Sequence, residues 1–156
     1  MDMSGERLIA ASKDRVWLAL NDPEVLKAAI PGCDALEKVS DNEFTATVTT
    51  KLGPIKARFT GKVTLSDIDP PNGYRIGGEG QGGVAGFAKG GATVTLEPHG
   101  DETLLRYAVN AAVGGKIAQL GARLIDSTSR KLADQFFATF DGIVSGQTVP
   151  PDAQVS

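Results

Sequence analysis

The sequence of 156 residues predicts an α+β domain: a curved seven-stranded antiparallel sheet, two short helices, and one long C-terminal helix over an apolar cavity. Three observations predict it. Runs of period-two alternation recur through the middle of the chain, each closed by turn residues. A helical stripe of apolar residues follows them and must bury itself on that sheet. The turns also alternate in character. Those at 40–43, 69–73 and 98–101 are polar, whereas 52–55, 82–87 and 113–117 are apolar and rich in glycine. Consecutive turns of an antiparallel meander fall at opposite ends. One end is therefore expected to be solvated, and the other to expose apolar residues on flexible loops, which marks an interaction site.

Residues 3–10 read as the first strand. Ser12 then offers an N-cap, with Asp14 in the first turn and Val16, Trp17, Ala19 and Leu20 as the apolar side of a short helix. Asp22 caps a second helix whose first position is Pro23 and whose apolar side is Val25, Leu26, Ala29 and Ile30. Pro31 and Gly32 end it. Alternation then places Phe44, Ala46 and Val48 on one face, followed by Ile55, Ala57, Phe59, Gly61, Val63 and Leu65. Tyr74, Ile76, Gly78 and Gly80 continue it, then Ala92, Val94 and Leu96, then Leu105, Tyr107, Val109, Ala111 and Val113. The expected count is about six strands after the helical pair, seven with the first.

The last element is read as one helix over roughly 116–144. Its stripe is Ile117, Leu120, Leu124, Leu132, Phe136, Phe140 and Ile143, with Thr128 filling the gap. Such a helix is about 43 Å long at ~1.5 Å per residue. The inner strand positions are rich in small residues: Ala57, Gly61, Gly78, Gly80, Ala92 and Ala111. Close packing with glycine bends is one solution. The apolar turns at one end favour the other, a cavity.

A single domain over 1–145 is expected, with 146–156 as a frayed tail containing two prolines. The net charge of −3 leaves no basic field for nucleic acid. One cysteine, Cys33, excludes an internal disulfide and fits a reducing cytoplasm. The N-terminus lacks the apolar core of a signal peptide, and no apolar run approaches the ~20 residues of a membrane span.

Few residues offer chemistry. Gly78, Gly80 and Gly83 spell G-x-G-x-x-G, but strand pattern resumes beyond them where a dinucleotide fingerprint needs a helix. His99, the single histidine, sits in a polar turn and reads as a solvated turn residue; with one His and one Cys, a zinc site of His and Cys type is nearly excluded. Cys33 reads as a buried small hydrophobe with no adjacent cation to activate it. Tyr107 is the one hydroxyl expected inside, for a ligand carbonyl or a backbone group. The inner positions carry almost no titratable side chain, which weighs against general acid–base catalysis. A charge could still enter from the first strand.

The order of strand, two short helices, six strands and long helix resembles the helix-grip fold of the Bet v 1/START-like (SRPBCC) superfamily. Within it the chain resembles the carbon monoxide dehydrogenase G-subunit family. The stretches that carry the likeness are 21–33, 52–63, 113–121 and 132–137, including Asn21, Asp22, Pro23, Pro31, Gly32, Gly53, Pro54, Gly114 and Gly115. The resemblance implies a non-enzymatic accessory protein of a molybdenum-containing hydroxylase such as aerobic CO dehydrogenase. It implies an apolar ligand, an isoprenoid quinone or a lipid, no tightly bound cofactor, and a role in coupling the enzyme to the membrane. The place expected is cytoplasmic, or peripheral on the inner face of the cell membrane. Longer family members carry a C-terminal anchor that is not found before Ser156.

Two other classes stay open: a small cyclase or hydrolase of the same superfamily, and an assembly factor without a small ligand. No catalytic or metal-ligating residue is assigned. The expected ligand site is a mouth at the glycine-rich end. Leu52, Ile55, Val84, Phe87, Ile117, Leu120 and Leu124 are its rim, Ile30 reaches it, and Phe59 and Tyr107 line the interior. Strict alternation from Ala92 turns Phe87 outward unless a bulge intervenes.

Overall fold

The period-two runs pair with their neighbours in sequence, and the first strand closes the far edge. A computed structural model describes residues 1–146. The strands are β1 (Asp2–Ile9), β2 (Cys33–Ser40), β3 (Glu43–Leu52), β4 (Ile55–Asp69), β5 (Gly73–Gln81), β6 (Phe87–His99) and β7 (Glu102–Gly114). They form one antiparallel sheet in the order β1-β7-β6-β5-β4-β3-β2. The helices are α1 (Lys13–Leu20), α2 (Pro23–Ala29) and α3 (Ala122–Val144). The tail expected at 146–156 lies outside the described residues, apart from Gly146.

Local chemistry starts the helices where the sequence predicts. The Ser12 side chain accepts from the Arg15 amide at 3.4 Å, and Asp22 accepts from Glu24 at 2.9 Å. Three points differ from the sequence reading. The strand at 33–40 has no clean alternation, because most of its side chains are exposed on this edge strand. Cys33 is half-buried there rather than buried, with burial the main influence raising its thiol pKa and Lys27 close enough to oppose it.

The long helix begins later than position 116. Residues Gly115–Leu120 form a 3₁₀ segment, and Gly121 has φ +92°, outside the right-handed helical region. The stripe is thus cut in two, and α3 spans about 35 Å at ~1.5 Å per residue.

The main core gathers at the polar-turn end. Ile9, Val16, Leu105, Phe140 and Thr103 are its largest fully buried side chains. Two hydroxyls fasten α1 and its approach to the sheet. Thr103 Oγ1 donates to the Ala11 carbonyl at 2.8 Å, and the Tyr74 hydroxyl donates to the Leu20 carbonyl at 3.3 Å. Trp17 packs on Tyr74 with ring centroids 5.3 Å apart.

Phe136 is only partly buried, so the anchoring aromatic of α3 is Phe140. Phe140→Ala is expected to cost about 3–5 kcal/mol. Thr103→Val strands the Ala11 carbonyl and is expected to cost about 1–3 kcal/mol. Denaturant unfolding of both variants measures these losses, and a near-neutral Phe140→Ala contradicts the packing.

Candidate ligand cavity

One helix cannot cover a curved sheet seven strands wide. Helix α3 packs chiefly against α2, with closer approaches to β1, β3 and α1 than to the central strands. An aromatic pillar sets its height. Tyr107 on β7 stacks on Phe137 at 5.3 Å, Phe137 meets Phe136 edge-on at 5.1 Å, and Phe136 stacks on Phe140 at 5.5 Å. At the sheet edge, Arg7 pairs with Asp134 of α3 and lies 5.5 Å from the Phe137 ring centre. The charge left open by the unoriented first strand is therefore Arg7. It shares the inward-facing parity of Met3 and Ile9, and α3 neutralises it at the margin.

Between α3 and the central strands lies a cavity of about 320 Å³. Its floor includes Phe44, Ala46, Val63, Tyr74, Ile76 and Val109, and its roof includes Ala133, Phe136 and Phe137. Leu20, Leu26 and Ile30 close it from the two short helices. The only side-chain polar atoms in the lining are the hydroxyls of Tyr74 and Tyr107. No buried side-chain nitrogen or oxygen lacks a partner among the described residues. Burial pushes the Tyr74 phenol well above its ordinary value. Such a space accepts hydrocarbon and offers nothing for a carried charge.

A second apolar depression, about 360 Å³ and more open, continues along the sheet towards the glycine-rich end. It shares Ala46, Val63, Ile76, Ala92 and Val109 with the cavity. Its floor is Gly61, Gly78, Gly80, Ala88, Gly90 and Ala111, and Phe59 stands at its wall. The small inner residues therefore leave space, as the sequence reading favoured. Gly61 also serves close backbone approach, since a β-carbon there would lie 2.4 Å from the Glu79 carbonyl oxygen.

The ten residues named from sequence are distributed differently from the expected ring. Ile30 and Tyr107 line the cavity. The Tyr107 hydroxyl lies beside Gly5, where a β-carbon would meet it at 2.7 Å. Leu52, Ile55, Phe59, Ile117 and Leu120 pack with Ala57, Ala85 and Val113 into a separate apolar cluster. They plug the glycine-rich end instead of ringing an opening, because Ile117 and Ala85 sink to 2 % and 3 % exposure. Leu124 lies over Gly53 of the β3–β4 turn. Val84 projects away at 93 % exposure.

Phe87 lies on the outer face, against Gly114. No bulge interrupts β6 in its pairing with β5 or β7, so alternation holds. The cavity residues that the sequence reading did not assign include Met3, Leu26, Leu36, Phe44 and Phe137. Their signal was present, since alternation places Phe44, Val63 and Tyr74 on the inner face. The apolar turns drew attention to the other end.

The family model for the G-subunit of carbon monoxide dehydrogenase (CoxG) matches residues 5–145. The chain belongs to that family. Nothing among curated proteins matches it. Among solved structures, a conserved protein from Geobacillus kaustophilus is 27 % identical with a TM-score of 0.88, over 94 % of this chain and 96 % of that one. A START superfamily protein from Mycobacterium smegmatis is 15 % identical with a TM-score of 0.71, over 94 % and 99 %. Ara h 8.0201 is 14 % identical with a TM-score of 0.64, over 92 % and 97 %. This CoxG-family chain thus has the START and Bet v 1-like helix-grip architecture. No helix among the described residues is long and apolar enough to cross a membrane.

Filling the void tests its reality. Ala133→Phe is expected to stabilise the ligand-free protein by about 0.5–2 kcal/mol, as cavity-filling changes do. It should also cut the affinity for an apolar fluorescent probe at least tenfold. Calorimetry and titration read the two effects, and a clear loss of stability means the space is already occupied by packed atoms.

Tyr74 predicts a pH effect. The fold holds the neutral phenol and raises its pKa, whereas an unfolded tyrosine ionises near pH ~10. The stability involved is complete below that pH and is lost as pH rises through the higher folded value. Tyr74→Phe should flatten the alkaline fall in unfolding free energy.

Proposed function

We propose that this CoxG-family protein is a non-enzymatic carrier of an apolar molecule, an isoprenoid quinone or a lipid, serving a molybdenum-containing hydroxylase such as aerobic CO dehydrogenase. The observation that carries the reading is the cavity of about 320 Å³ whose only side-chain polar atoms are two tyrosine hydroxyls. The neighbouring depression extends the apolar surface along the sheet, giving a long hydrocarbon tail a continuous path. Each Å² of apolar ligand surface removed from water favours binding by about 25 cal/mol. A lining without a carboxylate, lysine or histidine supports binding over catalysis.

A quinone fits the proposed partnership chemically, because a hydroxylase oxidising its substrate must pass electrons onward. The protein would act in the cytoplasm and at the inner face of the cell membrane, where such ligands reside.

Trp17 touches Tyr74, a cavity residue, and reports occupancy. Titration with a short-chain quinone in detergent is expected to change Trp17 fluorescence saturably, and Ala133→Phe is expected to abolish the change. Protein purified from its own host should release a quinone or lipid on extraction, detected by mass spectrometry. No uptake of any quinone or lipid rejects the carrier and leaves an assembly factor without a small ligand.

A further inference from the structure

The two edges of the sheet are built differently. Strand β2 is broken by register shifts between Cys33 and Ala35 and between Lys38 and Ser40, and it carries a lysine, Lys38. Bulges and lysine are devices that keep an edge from pairing with another chain. Strand β1, at the other edge, has neither. Asp2–Ile9 pairs with β7 residue for residue without a shift, and it holds no lysine or proline. Its inward charge, Arg7, is neutralised by Asp134.

Hydrogen bonding shows which groups β1 leaves open. The Met1 ammonium donates to the Ala111 carbonyl at 2.7 Å, and the Ala111 amide donates back to the Met1 carbonyl at 2.8 Å. Such exchanging pairs recur at every second residue of an antiparallel ladder. Met3, Gly5, Arg7 and Ile9 therefore turn their backbone groups to β7, while Asp2, Ser4, Glu6 and Leu8 turn theirs outward. The next residue of the outward series, Ala10, donates its amide to Asp141 of α3 at 3.1 Å, which agrees with this parity and ends the open row. Asp2, Ser4, Glu6 and Leu8 are all exposed, Leu8 at 48 %. An unguarded edge of this kind is a template for another strand.

We propose that β1 pairs antiparallel with β1 of a second copy about a two-fold axis through Gly5, joining the two sheets into one. Charge selects both the occupant and the register. A two-fold axis normal to the sheet sets residues of the same face opposite each other. Centred on Ser4, it opposes Asp2 to Glu6. Centred on Glu6 or on Arg7, it opposes that charge to itself. Like charges directly opposite destabilise a sheet. Centred on Gly5, it sets Ser4 opposite Glu6, Asp2 opposite Leu8 and Met3 opposite Arg7, with no like pair. The outward backbone groups of Ser4 and Glu6, and of Asp2 and Leu8, then meet as hydrogen-bonded pairs.

The helix layer agrees. Arg130 of α3 borders one depression with Met3, and Asp134 binds Arg7. Since Met3 faces Arg7 of the second copy, Arg130 is brought to the side of Asp134 of that copy. A stable interface needs more area than strand pairing alone, and the helices supply it. The inference goes beyond the carrier reading and stands without it.

The test is sedimentation velocity of the full chain, untagged at its N-terminus, over a range of concentrations. A reversible dimer is expected. Ser4→Pro removes only an outward donor, so the monomer keeps its ladder to β7. Ser4→Glu sets a second carboxylate opposite Glu6, and Ser4→Lys sets a cation there. The first two should raise the dissociation constant about tenfold or more, and Ser4→Lys should lower it at low salt. Val39→Glu, on the exposed β2 edge, should leave it unchanged. Unfolding curves confirm that each variant folds.

A monomer at every concentration overturns the pairing, even where the edge takes up an extended peptide in its place. A dimer that Ser4→Pro does not weaken, or that Val39→Glu weakens as much as Ser4→Glu, overturns the β1 edge as its interface. Equal weakening by Ser4→Glu and Ser4→Lys overturns the register centred on Gly5.

Discussion

The distance between α3 and the floor of the sheet governs most of what this molecule can do. Four aromatic rings hold it: Tyr107 rises from β7, Phe137 and Phe136 meet above it, and Phe140 anchors the helix in the core. Aromatic side chains suit this task because they are bulky and have only two side-chain torsions. The Arg7–Asp134 pair fixes the same helix at the β1 edge, where both side chains remain partly exposed. An exposed ion pair adds little stability, so its part is positional. With the helix held off the sheet, its Ala133, Phe136 and Phe137 roof the central strands without filling the space between, and the small side chains of the floor leave it open.

The two ends of the sheet are built on different chemistry. At the polar-turn end, α1 and α2 close the structure with a packed core and two buried hydroxyl bonds. At the glycine-rich end, two 3₁₀ segments and one hairpin turn meet in a small separate cluster. Small clusters under loops contribute less cooperative stability than a main core, and regions that open locally are drawn from such places. Gly86 and Gly115 also approach so closely that a β-carbon on Gly115 would lie 2.6 Å from the Gly86 α-carbon. Their positive φ values lie where side chains are rarely accommodated. Glycine here serves contact between the two segments as well as flexibility.

The cavity's chemistry also limits the function. Tyr74 uses its hydroxyl on the Leu20 carbonyl, and Tyr107 directs its hydroxyl towards Gly5, so neither is committed to a ligand. Recognition in this space would come from shape and hydrocarbon burial, which tolerate related tails. A polar headgroup would find its partners outside this cavity, towards the more open depression.

Much of the fold was legible because its signals are local. Period two in β3 to β7, Ser12 and Asp22 as caps, Pro23 at a first helical turn and the apolar stripe of α3 each depend on residues adjacent in sequence. Alternation also turned Phe87 outward, as the unbroken register of β6 does. The exposed edge strand β2 gave a weaker pattern, since a solvated strand has no need to alternate. The break at Gly121 was hidden within an apparently continuous stripe.

The site itself was decided by tertiary structure. Alternation identified the inner face, yet a face becomes a cavity only where the covering helix stands away from it. That height depends on rings from β7 and α3, some thirty residues apart in sequence. The same apolar rim residues could have opened a mouth or closed a plug. Ala85 and Ile117, brought together by the meeting of two loops, are buried against Leu52, Ile55 and Leu120, and removing that apolar surface from water favours the packed cluster.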